Sequence, residues 1–374
     1  MSEWKKVKLK DCCHSISDGD HLPPPKSNSG VPFVTIANID ATNHIDFGNT
    51  MFVPLEYYNN LNDIRKAKCN DILYSVVGSF GKPVLIKENI PFAFQRHIAI
   101  LRPNNEIADS RFLYYVMLTR DFFVQADTVA IGAAQRTISL TALRNMEVKL
   151  PSMETQHRIA NILSRYDSLI ENYQKQIKLL EEAAQRLYKE WFVDLHFPGH
   201  ENTNIIDGVP EGWEKKSIGE IGTVITGKTP STSNKENYGG SIPFITIPDM
   251  HTGIYPVSSV FLSEKGAESQ SKKYIPQGAL IVSCIGTAGL VCITKERCQT
   301  NQQINSLILD DKEMLHYMYF VFLSLKEHLN NIGSNGATMT NVNKSKFEGI
   351  DIVVPSSCII RDFSQRTTPY FENP

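Results

Sequence analysis

Long hydrophobic runs are missing from this chain. None approaches the roughly 18 consecutive apolar residues of a membrane-spanning helix, and residues 1–6 lack the apolar core of a secretory signal peptide. We therefore expect a cytoplasmic protein. The hydrophobic content of 41%, with 14 Tyr and 18 Phe, is typical of a folded protein rather than a disordered one.

Cysteine is also scarce, with seven in 374 residues. The seven are odd in number and irregularly spaced, so a disulfide framework is not expected. A structural zinc site normally uses closely spaced cysteine pairs, and the spacing between Cys284, Cys292 and Cys298 is too wide for them. We predict no metal site.

An excess of positive charge is absent as well, because the formal net charge is -2. Proteins that bind nucleic acid often carry a strongly basic surface, so composition alone favours an ordinary mixed surface. If DNA is the partner, the lysines and arginines must be concentrated on one face of the molecule.

Catalytic sequence motifs are absent, with one formal exception. The chain has no G-x-G-x-x-G turn and no G-x-S-x-G elbow. Gly222–Thr229 does match the phosphate-loop pattern G-x-x-x-x-G-K-[ST]. That loop must lead directly into a helix, whereas Pro230 and a Ser/Thr/Asn segment follow here. We interpret the segment as a surface loop and predict a noncatalytic protein; a nucleotidase is the rival hypothesis.

What the chain does contain is a repeat of itself. The offset between matched residues falls only from 211 (Val31 to Ile242) to 204 (Pro151 to Pro355). Such a long and nearly constant offset is typical of two homologous domains. We place them at 1–151 and 199–355. Each alternates short β-branched or aromatic runs with one helical stretch, at 110–125 and 312–331, which predicts two α+β domains.

Between the repeats, residues 154–193 contain neither Gly nor Pro. Apolar residues recur there at steps of three and four, which predicts one long helix with a single apolar stripe. About 40 residues at 1.5 Å each would make a rod of roughly 60 Å. We interpret 152–198 as a spacer helix between two recognition domains, and its stripe as a docking surface for a partner. The apolar stripe consists of Ile159, Ile162, Tyr166, Leu169, Tyr173, Ile177, Leu180, Leu187 and Trp191.

Residues 356–374 start to repeat this helix, because Pro355-Ser356 matches Pro151-Ser152. Pro369 intervenes, so we expect at most two or three helical turns there, as the truncated start of a second spacer helix. The apolar stripe would then lack a full-length partner within this chain.

Polar clusters occupy equivalent positions in the two repeats. Residues 95–97 (Gln-Arg-His) correspond to 301–303 (Asn-Gln-Gln), and 135–136 (Gln-Arg) to 339–340 (Met-Thr) with Asn341 beside them. Asn, Gln and Arg can make paired hydrogen bonds to purine edges. Different side chains on one framework predict two readers of two different sequences, although loop capping explains any single residue equally well. The candidate DNA-binding residues are Lys82, Gln95, Arg96, Gln135, Arg136, Lys228, Asn301, Gln302, Asn341 and Lys344.

The chain resembles the DNA specificity subunits of type I restriction-modification systems. The resemblance rests on the Trp-containing repeat starts at 4–5 and 213–214, on 227–230, on 242–244, and above all on 187–199, Leu-Tyr-Lys-Glu-Trp-Phe-Val-Asp-Leu-His-Phe-Pro-Gly. It extends over nearly the whole chain to Pro355.

The resemblance implies a noncatalytic subunit in which each target recognition domain reads one half of a split DNA sequence. Two antiparallel helices would fix the gap between the halves and dock two methylation subunits. It implies that double-stranded DNA, methylation subunits and restriction subunits are the partners. The apolar stripe, left without a full-length partner helix, adds self-association through the central helix as a further expectation. S-adenosylmethionine, ATP and Mg²⁺ would belong to the partner subunits, and this chain would hold no cofactor. A truncated assembly factor without its own DNA specificity is the alternative.

Overall fold

The computed structural model describes residues 4–21, 23–133, 135–333 and 341–372, and for 332 and 333 the backbone only. The chain divides into two compact units, Met1–Glu171 and Asn172–Pro374. Among the helices of the described ranges, none combines the length and hydropathy that crossing a bilayer requires.

The first unit alternates short strands with short helices. Its strands are β1 (Lys5–Lys8), β2 (Cys13–Asp18), β3 (Val31–Val34), β4 (Met51–Val53), β5 (Ile72–Ser75), β6 (Pro83–Leu85), β7 (Ala93–Phe94), β8 (Ile98–Pro103) and β9 (Glu147–Leu150). Its helices are α1 (Leu9–Cys12), α2 (Leu55–Asn60), α3 (Ser110–Met117), α4 (Arg120–Val129) and α5 (Leu140–Asn145), and the unit includes the first half of α6 (Met153–Tyr188).

The core of the first unit lies on both faces of an antiparallel sheet with strand order β2-β8-β5-β6. Side chains alternate across a strand, so Ile72 and Tyr74 pack with α3 and α4 while Leu73 packs on the opposite face. All four residues of β5 are buried as a result. A smaller sheet, β4-β3-β7, and the antiparallel pair β1-β9 complete the unit.

The second unit repeats this plan. Its strands are β10 (Ile205–Ile206), β11 (Val209–Pro210), β12 (Glu214–Ser217), β13 (Gly222–Thr226), β14 (Tyr238–Ile245), β15 (Val260–Leu262), β16 (Leu280–Ser283), β17 (Val291–Ile293), β18 (Gln299–Thr300), β19 (Ile304–Leu309) and β20 (Asp351–Val354). Its helices, after the second half of α6, are α7 (Glu264–Glu268), α8 (Leu315–Ser324), α9 (Lys326–Gly333), α10 (Lys344–Glu348) and α11 (Ser357–Glu372).

Three sheets of the first unit recur in the second, which has the β10-β11 hairpin in addition. Sheet β13-β19-β16-β17 matches β2-β8-β5-β6, sheet β15-β14-β18 matches β4-β3-β7, and the pair β12-β20 matches β1-β9. Even the parallel pairing of β3 with β7 recurs as β14 with β18. The predicted repeat and the α+β fold class are therefore confirmed.

The predicted single helical stretch of each domain was wrong, because each stretch contains two helices. In the first unit α3 ends at Met117 and α4 begins at Arg120. Thr119 causes the break, since its hydroxyl accepts a hydrogen bond from the N–H of Phe122 (3.3 Å) and caps a new helix. In the second unit Leu325 separates α8 from α9.

The long helix between the two repeats is confirmed. Helix α6 spans 36 residues and continues into one π-helical turn at Lys189–Val193. Gln156 anchors its first turn: the side-chain oxygen accepts from the N–H of Asp109 (3.0 Å), and the amide nitrogen donates to the carbonyls of Ile107 (3.2 Å) and Pro151 (3.0 Å).

The expected limit of two or three turns after Pro355 was wrong. Helix α11 runs for 16 residues and passes through Pro369. Proline inside a helix costs about 3 kcal/mol, because it removes one hydrogen bond and its ring clashes with the carbonyl four residues earlier. Burying one large apolar side chain contributes about 1.5–3 kcal/mol, and α11 buries several, so packing outweighs the proline. The buried apolar residues of α11 are Ile359, Ile360, Phe363, Tyr370 and Phe371.

Helix α11 lies antiparallel to the end of α6. The ring of Phe363 packs against Tyr188, Trp191 and Phe192, with centroid separations of 4.9–6.4 Å. Further along α11, Tyr370 lies near Glu181, which precedes these three residues by about two to three helical turns. The same face of α11 packs on α8, where Phe320 lies 5.9 Å from Phe363.

His316 of α8 is a titratable residue within this packing of α8 against α11. Its ring stacks on Phe371 at 3.9 Å, and its Nδ1 lies 3.1 Å from the carbonyl of Ser364. Burial lowers the pKa of His316, although the Ser364 carbonyl partly opposes the shift. The folded unit therefore keeps this imidazole neutral at a pH where the unfolded chain already binds a proton.

Lowering the pH should consequently destabilise the second unit. The contribution of His316 to the free energy of unfolding is constant well above the unfolded-state pKa of about 6.5. It is lost as the pH falls through and below that pKa, and the free energy of unfolding then changes by at most about 1.4 kcal/mol per pH unit. Urea denaturation between pH 7.5 and 5.5 should show a shallower dependence for His316→Phe, which keeps the stack but cannot titrate. Parallel curves for the two proteins would contradict this assignment.

Candidate nucleic-acid interface

Three loops of the first unit meet beside the end of β5, and we call this meeting point the first junction. They are residues 76–81, 95–97, and 131–133 with 135–138. Backbone hydrogen bonds join them: the N–H of Val76 donates to the carbonyl of His97 (2.9 Å), that of Gly78 to Arg136 (2.9 Å), and that of Ile138 to Val76 (2.8 Å). These bonds hold the loops together without using their side chains.

Two candidate residues come together at the first junction. Arg96 and Gln135 are both exposed, and they line one cavity of about 330 Å³ with Asp18, His97 and Thr137. Gln95 precedes Arg96 and is half-buried. Arg96 and Gln135 are thus available as neighbouring hydrogen-bonding groups of the same surface.

Two other candidates are already engaged within the first unit. Lys82 donates from Nζ to the carbonyl of Ile39 (3.3 Å). Arg136 forms an ion pair with Asp127, and its guanidinium lies 5.4 Å from the ring centre of Phe80. The Arg136 side chain remains 40% exposed, so these contacts orient it without enclosing it.

The second unit forms an equivalent junction, the second junction. The N–H of Cys284 donates to the carbonyl of Gln303 (2.8 Å), and that of Val342 donates to Cys284 (2.9 Å). Residue Asn341 pairs with Ile285 in an isolated β-bridge. Two of the three backbone hydrogen bonds of the first junction therefore recur among the described residues of the second. Met339 and Thr340, which the repeat aligns with Gln135 and Arg136, lie outside the described residues.

The second junction brings Lys228, Gln302 and Asn341 to one surface. All three are exposed. The N–H of Lys228 donates to the carbonyl of Thr300 (3.0 Å), and the hydroxyl of Thr229 donates to Oε1 of Gln302 (2.5 Å). The loop at 228–229 thus holds Gln302 in place.

The remaining two candidates of the second unit serve local structure. Asn301 is only 9% exposed; its amide nitrogen donates to Oε1 of Gln303 (3.0 Å), and its oxygen accepts from the N–H of Gln303 (3.1 Å). Lys344 pairs with Glu348 one turn along α10 (3.3 Å). Asn301 therefore shapes its own loop.

The phosphate-loop pattern does not form a phosphate loop. Residues Gly222–Thr226 are strand β13, paired along its length with β19. Gly227 packs closely on the distant residues Thr300 and Asn301, so a Cβ atom at residue 227 would lie 2.2 Å from the carbonyl oxygen of Asn301. The next two elements are a single 3₁₀ turn at Lys235–Asn237 and strand β14, so no helix follows to bind phosphate. The nucleotidase hypothesis is not supported.

Sequence reasoning missed the first-unit counterpart of Gly227-Lys228. Gly19 repeats the close approach, since a Cβ there would lie 2.2 Å from the carbonyl oxygen of Phe94. Asp20 therefore stands where the second unit has Lys228. The offset of 208 residues between Gly19 and Gly227 was the sequence signal that could have revealed this correspondence. Opposite charges at one framework position make the two junctions electrostatically different.

Asp20 belongs to a small polar cluster at the edge of the first junction. It accepts hydrogen bonds from the Tyr57 hydroxyl (2.5 Å) and from Arg65 (3.2 Å). Burial, followed by the hydrogen bond to Asp20, raises the pKa of Tyr57, so this hydroxyl remains a donor at physiological pH. Nearby, His21 contacts Asp18 at 2.8 Å.

Helix α6 presents chemically different sides in the first unit. Its polar side binds the domain: Asn161 accepts from Arg111 (2.9 Å), Asp167 from the hydroxyl of Tyr115 (2.6 Å), and Glu171 contacts His44 (3.0 Å). Burial alone would raise the pKa of Glu171, but the hydrogen bonds from Lys87 and His44 lower it. Glu171 therefore remains ionised.

The apolar stripe lies on the opposite side, and its middle is uncovered. Ile162, Tyr166, Leu169 and Tyr173 are 46–63% exposed. Earlier in the helix Ile159 is half-buried against the first core, and Ile177 is half-buried in the second unit. Later members pack in the second core, where Trp191 is buried and Leu180 and Leu187 are half-buried.

The family model for the type I restriction modification DNA specificity domain matches residues 1–182 and again 210–359. The chain belongs to this family. The HindI specificity subunit of Haemophilus influenzae is 30% identical over 447 residues, covering 100% of this chain and 94% of that protein. The MjaIX specificity subunit of Methanocaldococcus jannaschii is 28% identical, over 70% of this chain and 62% of that protein.

A solved structure shows the same fold. The S subunit of the type I restriction-modification system from M. genitalium superposes with a TM-score of 0.69 at 16% identity, covering 99% of this chain and 89% of that one. The family predicted from the sequence is therefore confirmed, and the long helix between two α+β domains is a feature of this specificity fold.

The paired glycines give the junctions a direct test. Gly19→Ala and Gly227→Ala each place a Cβ 2.2 Å from a backbone oxygen, so each should destabilise its own unit by about 2–3 kcal/mol. Thermal denaturation provides the measurement. Gly219→Ala is the matched control, because its Cβ would meet no atom closer than 3.4 Å. Unfolding temperatures equal to that of the control would refute the close approach.

Proposed function

We propose that this protein reads a split DNA sequence, one half with each unit, and brings methylation and restriction subunits to it. One observation carries the proposal: the same three-loop junction occurs in both units, held by equivalent backbone hydrogen bonds but displaying different side chains. A repeated framework with altered side chains suits the recognition of two different half-sequences.

The chemistry of the junctions supports this assignment. We assign Arg96 and Gln135 in the first unit, and Lys228, Gln302 and Asn341 in the second, as the groups that contact DNA. Arg and Lys bind guanine edges or phosphates, whereas Gln and Asn pair with adenine. We assign the other candidates to shaping the junctions and to contacts with the DNA backbone. They are Gln95, Lys82, Arg136, Asn301 and Lys344.

We further propose that the chain carries no active site of its own. Methyl transfer and ATP hydrolysis would then take place in partner subunits, which would hold S-adenosylmethionine, ATP and Mg²⁺. The names of the relatives, all specificity subunits, support this division of labour. We place the complex in the cytoplasm, where it would have access to chromosomal DNA.

The exposed middle of the apolar stripe supports a docking role for α6. Four large apolar side chains aligned along one side of a helix are energetically costly to leave in water. The polar side of the same helix is already bound to the first unit. We propose that methylation subunits cover this stretch, and that in their absence two copies of the chain associate through it.

Methylome sequencing of cells that express the chain with its methylation subunit tests the main proposal. We expect a split motif with two constant halves. Gln135→Ala should relax one base position in one half and Gln302→Ala one position in the other, because a paired hydrogen bond to a base contributes about 1–3 kcal/mol of discrimination. Gln365→Ala, on the exposed side of α11, is the matched control.

Two results would count against the proposal. A motif with only one constant half would mean that one unit does not read DNA. Absence of any motif, with the methylation subunit still bound, would instead support an assembly factor without DNA specificity.

Charge placed on the apolar stripe should weaken docking. Tyr166→Asp and Leu169→Asp should each reduce affinity for the methylation subunit at least tenfold, because a buried carboxylate without a partner is strongly disfavoured. Isothermal titration gives the affinity, and circular dichroism checks that α6 stays helical. Ser168→Asp adds the same charge on another side of the helix and should bind normally.

Sedimentation of the isolated chain addresses self-association with the same variants. The wild type should associate, and Leu169→Asp should be monomeric. A wild-type monomer at all concentrations would contradict the proposed self-association. Unchanged binding of the methylation subunit by both Asp variants would contradict the proposed docking on the apolar stripe.

A further inference from the structure

The first junction carries an aromatic pair that the polar candidates do not explain. Phe80 lies in the loop between Gly78 and Gly81, and its ring stacks on Phe123 of α4, with centroids 6.0 Å apart and an angle of 10° between the planes. Phe123 is 45% exposed and Phe80 is half-buried. A large apolar surface therefore faces solvent beside polar side chains.

This pair is held rigidly. The guanidinium of Arg136 lies over the Phe80 ring, and Asp127 binds the same guanidinium. Gly81, at φ +94°, brings the loop so close that a Cβ there would lie 2.8 Å from the Phe123 ring. An exposed aromatic surface fixed from several sides is ready to contact a ligand without losing side-chain freedom.

The second unit has the same loop without the aromatic rings. Gly289 corresponds to Gly81, since its N–H donates to Ser283 just as that of Gly81 donates to Ser75, both at 3.0 Å. The residue before Gly289 is the buried Ala288 rather than a phenylalanine. The side chain that Gly289 approaches is Lys326, where Gly81 approaches Phe123. The framework therefore does not require the aromatic pair.

We propose that Phe80 and Phe123 are specificity-determining residues of the first unit, and that their exposed surface contacts the methyl group of a thymine in the half-sequence which that unit reads. This inference rests on the proposed DNA-reading function. The thymine methyl is the one apolar group that a base pair presents in the major groove. A flat, fixed apolar surface matches it.

The neighbours of the pair support DNA rather than a protein partner as the ligand. Arg136 covers one ring, Gln135 precedes Arg136, and Gln135 lines the cavity that it shares with Arg96. The aromatic surface is thus continuous with groups that can bind base edges and phosphates. The apolar stripe, assigned above to protein docking, lies on a different element, α6.

Uracil in place of thymine tests the proposal without altering the protein. The complex of the chain with its methylation subunits is titrated with synthetic duplexes that carry the mapped motif, with each thymine of the first-unit half-site replaced by uracil in turn. One replacement should weaken binding about fourfold, the effect of leaving one apolar methyl group uncovered. Replacements in the half-site of the second unit should not weaken binding through Phe80 and Phe123.

Variants then assign the effect to the rings. Phe123→Ala, with Phe80→Ala as a second variant, should weaken binding to the thymine duplex and lose the difference between thymine and uracil. Ile107→Ala is the matched control, since it removes an exposed apolar side chain of the first unit beside Gln156 of α6. It should retain the full difference.

Several outcomes would overturn the inference. They are a first-unit half-site without thymine on either strand, equal affinity for all uracil duplexes, and a thymine-uracil difference that persists in Phe123→Ala and Phe80→Ala. Loss of methylation-subunit binding with unchanged DNA affinity would reassign the pair to a protein contact. If the wild-type complex shows no sequence preference at all, the proposed function itself fails, which is a different result.

Discussion

The different chemistry of the sides of helix α6 is the constraint on which the remaining structure depends. In the first unit the helix is bound through polar side chains, with Asp167 and Glu171 accepting hydrogen bonds from Tyr115 and from His44 and Lys87. In the second unit the same helix is bound through apolar ones, with Trp191 buried among the rings of α8 and α11. Polar contacts on one side leave the middle of the apolar stripe uncovered, whereas apolar contacts pack the later stripe residues into the second core.

The junctions illustrate how a fold can keep its geometry while changing what it recognises. Backbone hydrogen bonds such as Val76 to His97 and Cys284 to Gln303 hold the loops together. Because these bonds do not involve side chains, the side chains at equivalent positions are free to differ. Asp20 can stand where the other unit has Lys228, and Phe80 where it has Ala288. Function in such a site resides in the loops, and stability resides in the sheets beneath them.

Much of this architecture was predictable because it depends on local patterns. A heptad-like stripe without Gly or Pro specifies a long helix, and a nearly constant offset between matched residues specifies a repeated domain. Prediction failed where a single interaction competed with the pattern. The hydroxyl of Thr119 splits an otherwise continuous helix, and the burial of Phe363 and its neighbours carries α11 through Pro369. Neither competition can be judged from hydrophobic spacing alone.

The candidate site was predictable as a set of positions and less so as a set of roles. Arg96, Gln135, Lys228, Gln302 and Asn341 lie exposed at the junctions, although nothing in their sequence spacing required them to meet. Asn301 is enclosed in its own loop.

By itself the sequence determined the repeat, the spacer helix and the family, since each is encoded in the order of residues along the chain. Only the tertiary structure decided which loops meet, which polar groups are used internally, and which part of the apolar stripe remains uncovered. Those outcomes depend on contacts between residues far apart in sequence, such as Gly78 with Arg136 and Trp191 with Phe363.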